Sequence, residues 1–352
     1  MFYFKKNDFS RAMALAMPLL CLQVSSAHSA QDADSTLPLI TVTEQRAESG
    51  RLLGATALGA ADLALGRART SDTAALLTDV PGVSIFGAGG VSSLPTIHGL
   101  ADDRLRIKVD GMDLLASCPN HMNPALSYLD PSQVETLQVF AGITPVSVGG
   151  DSIGGTIIAD TPAPRFAMPG MSSLTEGEIG TYFHGNNGAR SLNLSGTHAT
   201  ENFSISYQGA VAKADNYKAA ADFKTFTATG NGSRTLPRNE VGSTAFETRN
   251  HNLGLAWRDP MNLFEVKIGH QDMPYQLYPN QRMDLLSNQQ DRINLHYHSL
   301  RLWGQIDARV YSEAVDHYMD FGQDKQFTYG AAPYVVANGM PMYTKGRTHG
   351  AS

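Results

Sequence analysis

From Leu300 to Glu313 the residues alternate without a break. Leu300, Leu302, Gly304, Ile306, Ala308 and Val310 fall on one parity, and Arg301, Trp303, Gln305, Asp307, Arg309, Tyr311 and Glu313 on the other. Successive side chains of a β-strand point to opposite faces, so a strict period of two puts one face in an apolar medium and the other in a polar one. Shorter runs repeat the pattern: Leu192, Leu194 and Gly196; Phe203, Ile205, Tyr207 and Gly209; Phe264, Val266 and Ile268. Long strands in succession read as hairpins of a transmembrane β-barrel with a lipid face and a wet lumen. A soluble β-sandwich, whose strands are usually shorter, is the alternative. Between the strands, the polar segments Asp222 to Ser243 and Tyr275 to Gln290 read as extracellular loops.

The beginning of the chain agrees with export. Residues 1–30 carry Lys5, Lys6 and Arg11, then an apolar run from Ala12 to Leu22, then Ser25, Ser26 and Ala27. This is the layout of a secretory signal peptide, and its apolar part is too short to span a bilayer. Bulky Leu20 before Cys21 argues against a lipoprotein. Removal of the signal leaves Cys118 as the one cysteine of the exported chain. An unpaired thiol in an oxidising compartment is intermolecular, reactive or metal-bound, or else a buried small hydrophobe. The net charge of −6 argues against a nucleic-acid partner. Residues 31–50 form a polar leader interrupted by Leu37, Pro38, Leu39, Ile40, Thr41, Val42 and Thr43. That β-prone run is suited to adding a strand to another protein's sheet, or to opening the next domain.

Residues 51–165 read as an α+β unit. Ser71 or Thr70 caps a short helix through Asp72 to Leu77, and Pro81-Gly82 ends it. Strands follow at Val83 to Phe86 and Leu105 to Val109, the latter closing in an Asp110-Gly111 turn. A second short helix begins at Asp130-Pro131. Strands at Thr136 to Phe140 and Thr156 to Ala159 precede the proline-rich boundary Thr161 to Pro164. Gly149-Gly150 and Gly154-Gly155 lack the following Lys-Ser/Thr of a phosphate loop and read as tight turns.

These residues resemble the plug domains of TonB-dependent outer-membrane receptors. The resemblance rests on Pro95-Thr96-Ile97-His98-Gly99, Arg104, Val109-Asp110-Gly111, Val134-Glu135 and Ser152-Ile153-Gly154-Gly155-Thr156-Ile157, in that order. His98 stands where the family usually carries Arg. The resemblance implies an α+β plug domain followed by an antiparallel transmembrane β-barrel, and no enzymatic activity. It also implies that Leu37 to Thr43 is the TonB box, which engages a TonB-type energy-transducing protein, and that the protein sits in outer-membrane lipid of a Gram-negative bacterium. Such barrels close with about 22 strands. Residues 166–352, at about ten per strand plus loops, supply seven or eight. The expectation is therefore the N-terminal portion of a receptor, its barrel incomplete in this chain.

Cys118-Pro119-Asn120-His121-Met122 packs a thiol, an imidazole and a thioether into five residues. Continuing the clearest alternation past Glu313 places Val315, His317 and Met319 in the lumen register. Side chains two apart on a strand point the same way, about 6.5–7 Å apart. With a plug inside the barrel, Cys118 and Met122 can meet His317 and Met319. Thiolate, imidazole and two thioethers favour copper as Cu(I), disfavour zinc and exclude hard cations. The Cys118-x-x-x-Met122 and His317-x-Met319 pairs also resemble those of TonB-dependent copper receptors, and that likeness implies these four as copper ligands. His121 is the alternative imidazole, Met340 and Met342 a surface pair or a turn, and Met273 and Met283 packing residues. Energised copper uptake is the leading reading. A receptor for a metal chelate or siderophore, a copper redox protein and an adhesive barrel without ligand are the alternatives.

Overall fold

The plug is built on a five-stranded sheet. In this computed structural model, residues 55–149, 152–230, 234–330, 333, 335–337 and 339–352 are described. The signal peptide with Cys21, the leader and the Leu37 to Thr43 box lie outside them. Strands β1 (Ala55–Leu58), β4 (Leu105–Val109), β5 (Met112–Asp113), β6 (Thr136–Ala141) and β7 (Gly155–Asp160) run in the order β1-β6-β7-β4-β5. Only β4 and β7 are parallel. A central strand flanked on both sides reads as an apolar run, and β7 carries Ile157-Ile158-Ala159 there. Leu77, Ile97, Val109, Leu126, Leu137 and Ile157 make the fully buried core. The hairpin of β2 (Val83–Phe86) and β3 (Leu94–Ile97) and the helix α1 (Ala60–Arg67) complete the plug. Gly155, at φ 136°, is required by close approach, because a Cβ there would strike the Phe140 carbonyl.

Both short helices form as single 3₁₀ turns. The first spans Thr73–Leu77, and its cap is Asp72 rather than Ser71 or Thr70. The Asp72 carboxylate accepts from Ala74 N and from Ser93 N, each at 3.2 Å, so one buried group fixes the turn and ties it to the segment before β3. Burial pushes the Asp72 carboxyl up to about 6, against the opposing hydrogen bonds from Ser93 and Ala74. The folded plug therefore holds this proton more tightly than the unfolded chain. The stabilisation, roughly 3 kcal/mol, is full below about pH 4 and lost as pH rises through 6. Amide exchange at Thr73–Leu77, corrected for intrinsic rates, should slow between pH 7 and pH 4, and Asp72→Asn should flatten that dependence. An unchanged slope in the variant would remove Asp72 as its source.

Eight long strands follow: β8 (Leu174–His184), β9 (Ala189–Ala199), β10 (Phe203–Ala214), β11 (Phe246–Arg258), β12 (Asn262–Gln276), β13 (Asp284–Arg301), β14 (Gly304–Asp320) and, after the small hairpin β15 (Phe327–Tyr329) and β16 (Val335–Ala337), β17 (Met342–Ala351). They form one antiparallel sheet in chain order from β8 to β14, with β17 paired to β14. Leu192, Leu194, Phe203, Ile205, Phe264 and Val310 are exposed on the outer face. The opposite parity, including Asn250, Gln271, Asn288, Arg292 and Glu313, is buried on the plug side. No helix among the described residues is long and apolar enough to cross a membrane, which says nothing of the strands.

Two sequence expectations need correction. Leu300 to Glu313 is not one strand, because Leu302 and Trp303 form a two-residue turn and Arg301 pairs with Gly304. Paired residues share a face, so parity flips at such a turn and Leu300 lies with Gln305, not Ile306. The segment Tyr275 to Gln290 is mostly strand, with only residues 277–283 between β12 and β13. Its polar residues Asn288 and Gln290 point inward and bond to His317, Gln271 and Glu313, which removes the apolar signal that marks a strand.

Candidate metal centre

Polar side chains of the sheet hold the plug by its turns. Lys267 on β12 donates to Asp110 Oδ1 at 2.9 Å and to Thr161 Oγ1 at 2.8 Å, while Thr161 N donates to the same carboxylate at 3.0 Å. Asn294 and Arg309 donate to the Asp110 carbonyl, Gln271 to the Ser127 carbonyl and Arg292 to that of Tyr128. Burial alone would raise the Asp110 carboxyl, but the Lys267 ammonium and the Thr161 bonds outweigh it and hold it below the usual range. A polar cavity of about 330 Å³ beside this contact is lined by Arg67, Glu135, Glu178, Lys267 and Arg292, among others. None of Cys118, Met122, His317 and Met319 lines it, so it is not the candidate site.

The sulfur site lies farther along β14. Cys118 to His121 is a turn closed by His121 N donating to the Cys118 carbonyl at 2.9 Å. It delivers Cys118 and Met122 to an apolar cluster, where they are 0% and 4% exposed. The Met122 carbonyl accepts from Ser92 Oγ at 2.9 Å and from the Tyr278 hydroxyl at 2.8 Å, which fixes that end of the turn on the sheet's loop. On β14, His317 and Met319 share the inward face, 3% and 0% exposed. Cys118 Sγ stands 3.7 Å from Met319 Sδ across the plug–sheet seam. His317 Nδ1 is 3.0 Å from Asn288 Oδ1, its partner on β13, and this leaves Nε2 buried without a hydrogen-bond partner. Buried polar atoms are nearly always paired, so an orphan imidazole nitrogen on the same inward strand face as Met319 is a ligand-ready atom.

The expected residues divide cleanly. Cys118, Met122 and Met319 share one apolar cluster, with His317 two residues from Met319 on the same face. His121, at φ 50°, turns the other way and lies 3.9 Å from Asp102 and 3.7 Å from Asp103, partly exposed. Met273 and Met283 are buried in the cluster, and Met342 pairs with Met319 in register, whereas Met340 is exposed. Asn288 and Tyr278, which orient His317 and Met122, carry no motif; only the strand register brings Asn288 opposite His317. Among the described residues no three His, Cys, Asp or Glu side chains form a group that holds a metal. The candidate centre instead draws half its donors from thioethers, and that donor set suits a soft ion.

Comparison with known proteins places residues 56–156 in the TonB-dependent Receptor Plug Domain family. The fold is similar to that of the copper transporter OprC, with a TM-score of 0.63 and 22% identity over 77% of this chain and 39% of that one. It is also similar to the ferric enterobactin receptor PfeA in complex with BCV-L6 (0.55, 15%, 82% of this chain and 45% of that one). The FrpB iron transporter from Neisseria meningitidis, F5-1 variant, gives 0.56 and 17% over 79% and 45%. At these identities the likeness is one of fold. The chain spans 39% to 45% of the length of these three structures. A search of curated proteins returned no match.

Proposed function

Because the chain carries a TonB-dependent receptor plug seated on an antiparallel barrel-type sheet, we propose that it binds copper as Cu(I) between Cys118 and Met122 of the plug and His317 and Met319 of β14, for energised uptake across the outer membrane. The observations that support this reading are the 3.7 Å Sγ–Sδ contact across the seam and the unpartnered Nε2 of His317, two residues from Met319 on the same strand face. A site shared between two bodies suggests how a tightly held ion is released. The Leu37 to Thr43 box engages a TonB-type protein, force on the plug draws Cys118 and Met122 away from β14, and the ion loses half its ligands at once. The apolar outer face meets outer-membrane lipid, and the signal peptide directs export. Likeness to the copper transporter OprC supports the choice of ion. A chelate receptor would need exposed recognition groups, and these donors are 0–4% exposed. A copper redox centre would need a second histidine ligand, and His121 faces Asp102 and Asp103 instead.

Competition for Cu(I) against a chromogenic chelator tests the assignment. His317→Gln and Met319→Leu should each weaken binding by more than about tenfold, while His121→Gln should change it by less than about twofold. Equal losses in His121→Gln and His317→Gln would overturn the ligand set.

A further inference from the structure

A line of buried amides leads from the plug to His317. The Ser127 carbonyl, in the plug's Ala125–Tyr128 turn, accepts from Gln271 Nε2 of β12 at 2.8 Å. The same nitrogen donates to Asn250 Oδ1 of β11 at 2.9 Å, and Asn250 Nδ2 donates in turn to Thr248 Oγ1 at 3.1 Å. On the other side, Gln271 Oε1 accepts from Asn288 Nδ2 of β13 at 3.5 Å, and Asn288 Oδ1 stands 3.0 Å from His317 Nδ1. Strand register sets this order. Gln271 pairs with Asn250 and with Gln290, two residues from Asn288, and Asn288 pairs with His317. Asn250, Gln271, Asn288 and His317 are all 3% exposed or less.

The line has a direction, and the plug supplies it. A main-chain carbonyl only accepts, so Ser127 holds Gln271 with its nitrogen toward the plug and its oxygen toward Asn288. Asn288 then offers its nitrogen to Gln271 and its oxygen to His317. Facing an oxygen, Nδ1 carries the imidazole proton, and Nε2 keeps its lone pair. Turning over one amide alone sets like atoms face to face and leaves buried groups unpaired. Thr248, at the far end, imposes no direction, because a hydroxyl both donates and accepts. We propose that Gln271 and Asn288 are positioning residues through which the seated plug keeps His317 in its Nδ1–H tautomer, with Nε2 as the free donor. What Nε2 binds rests on the Cu(I) reading; the tautomer does not. Withdrawal of Ser127 with the plug removes the end that sets the direction. The reversed line then opens: Asn288 donates to Nδ1, and the imidazole, neutral throughout, gives that proton to solvent and takes one at Nε2. His317 thus lets go of the ion in the movement that carries Cys118 and Met122 away.

Histidine-selective nitrogen-15 NMR of the metal-free chain reads the tautomer, with the His317 signals assigned by their loss in His317→Gln. A protonated Nδ1 and a bare Nε2 are expected in the wild type. Gln271→Leu cuts the line two hydrogen bonds from His317, so the Nε2-protonated form should appear and Cu(I) affinity should fall about tenfold. Adding Asn288→Asp, whose carboxylate only accepts, should restore both, which lost packing alone would not allow. A protonated Nε2 in the wild type, a tautomer unchanged by Gln271→Leu, or a double variant no better than Gln271→Leu would overturn the proposal. Because the tautomer is read without copper, wild-type Cu(I) binding by His317→Gln would sink the copper assignment and leave the amide line standing.

Discussion

Cys118→Ala is expected to lower copper(I) affinity more than any other single change, by well over a hundredfold. Loss of a group that merely orients a ligand costs about 10–100-fold, and Cys118 is the one anionic donor of the set. The thiol is completely buried and in no disulfide, so its removal leaves the fold with a small cavity and loses only the weak 3.7 Å contact with Met319 Sδ. Cys118→Ser is the sharper variant, since it keeps the volume and replaces a soft donor with a hard one. Both variants should retain the contacts of the plug through Asp110, Ser127 and Tyr128, so metal loss and plug seating separate. Copper content after dialysis near that of the wild type in Cys118→Ser would mean that the thiol is an inert core residue.

The second large effect concerns the latch. Lys267→Met should destabilise the seated plug by about 3–5 kcal/mol, because it removes the counter-ion of a buried carboxylate. Asp110 would keep its bonds from Thr161 N and Oγ1 but lose its charge partner. Asp110→Asn with Lys267→Met should recover most of the loss, since a neutral amide no longer needs a cation. Hydrogen exchange at the Asp110-Gly111 turn reads the result. Equal exchange in wild type and Lys267→Met would show that the carbonyl contacts from Asn294 and Arg309 suffice to hold the plug.

The strands were legible where one face meets apolar surroundings, as in β9, β10 and β12, because a period of two survives in the composition. They were hidden where the inward face meets the plug and both faces look polar, as at Asp284 to Gln290. The Leu302-Trp303 turn carries neither Asn nor Asp, and Gly304 falls just after it. The plug strands were readable from their β-branched runs, but α1 is eight residues long, with one buried side chain, and leaves little pattern. The proposed ligand pairs stand out in the sequence as local motifs. Their approach was not: the two sulfurs are 201 residues apart in sequence, and only the seating of the plug on β14 brings them together. The direction of His121 depended on a single left-handed residue, which no spacing rule predicts.

The most direct test is copper K-edge X-ray absorption of the chain loaded under reducing conditions. A Cu(I) edge with a shell of sulfur and a single imidazole nitrogen is expected, with the sulfur contribution reduced in Met319→Leu and the nitrogen lost in His317→Gln. A shell of nitrogen and oxygen only, unchanged by either substitution, would contradict a copper site divided between plug and sheet.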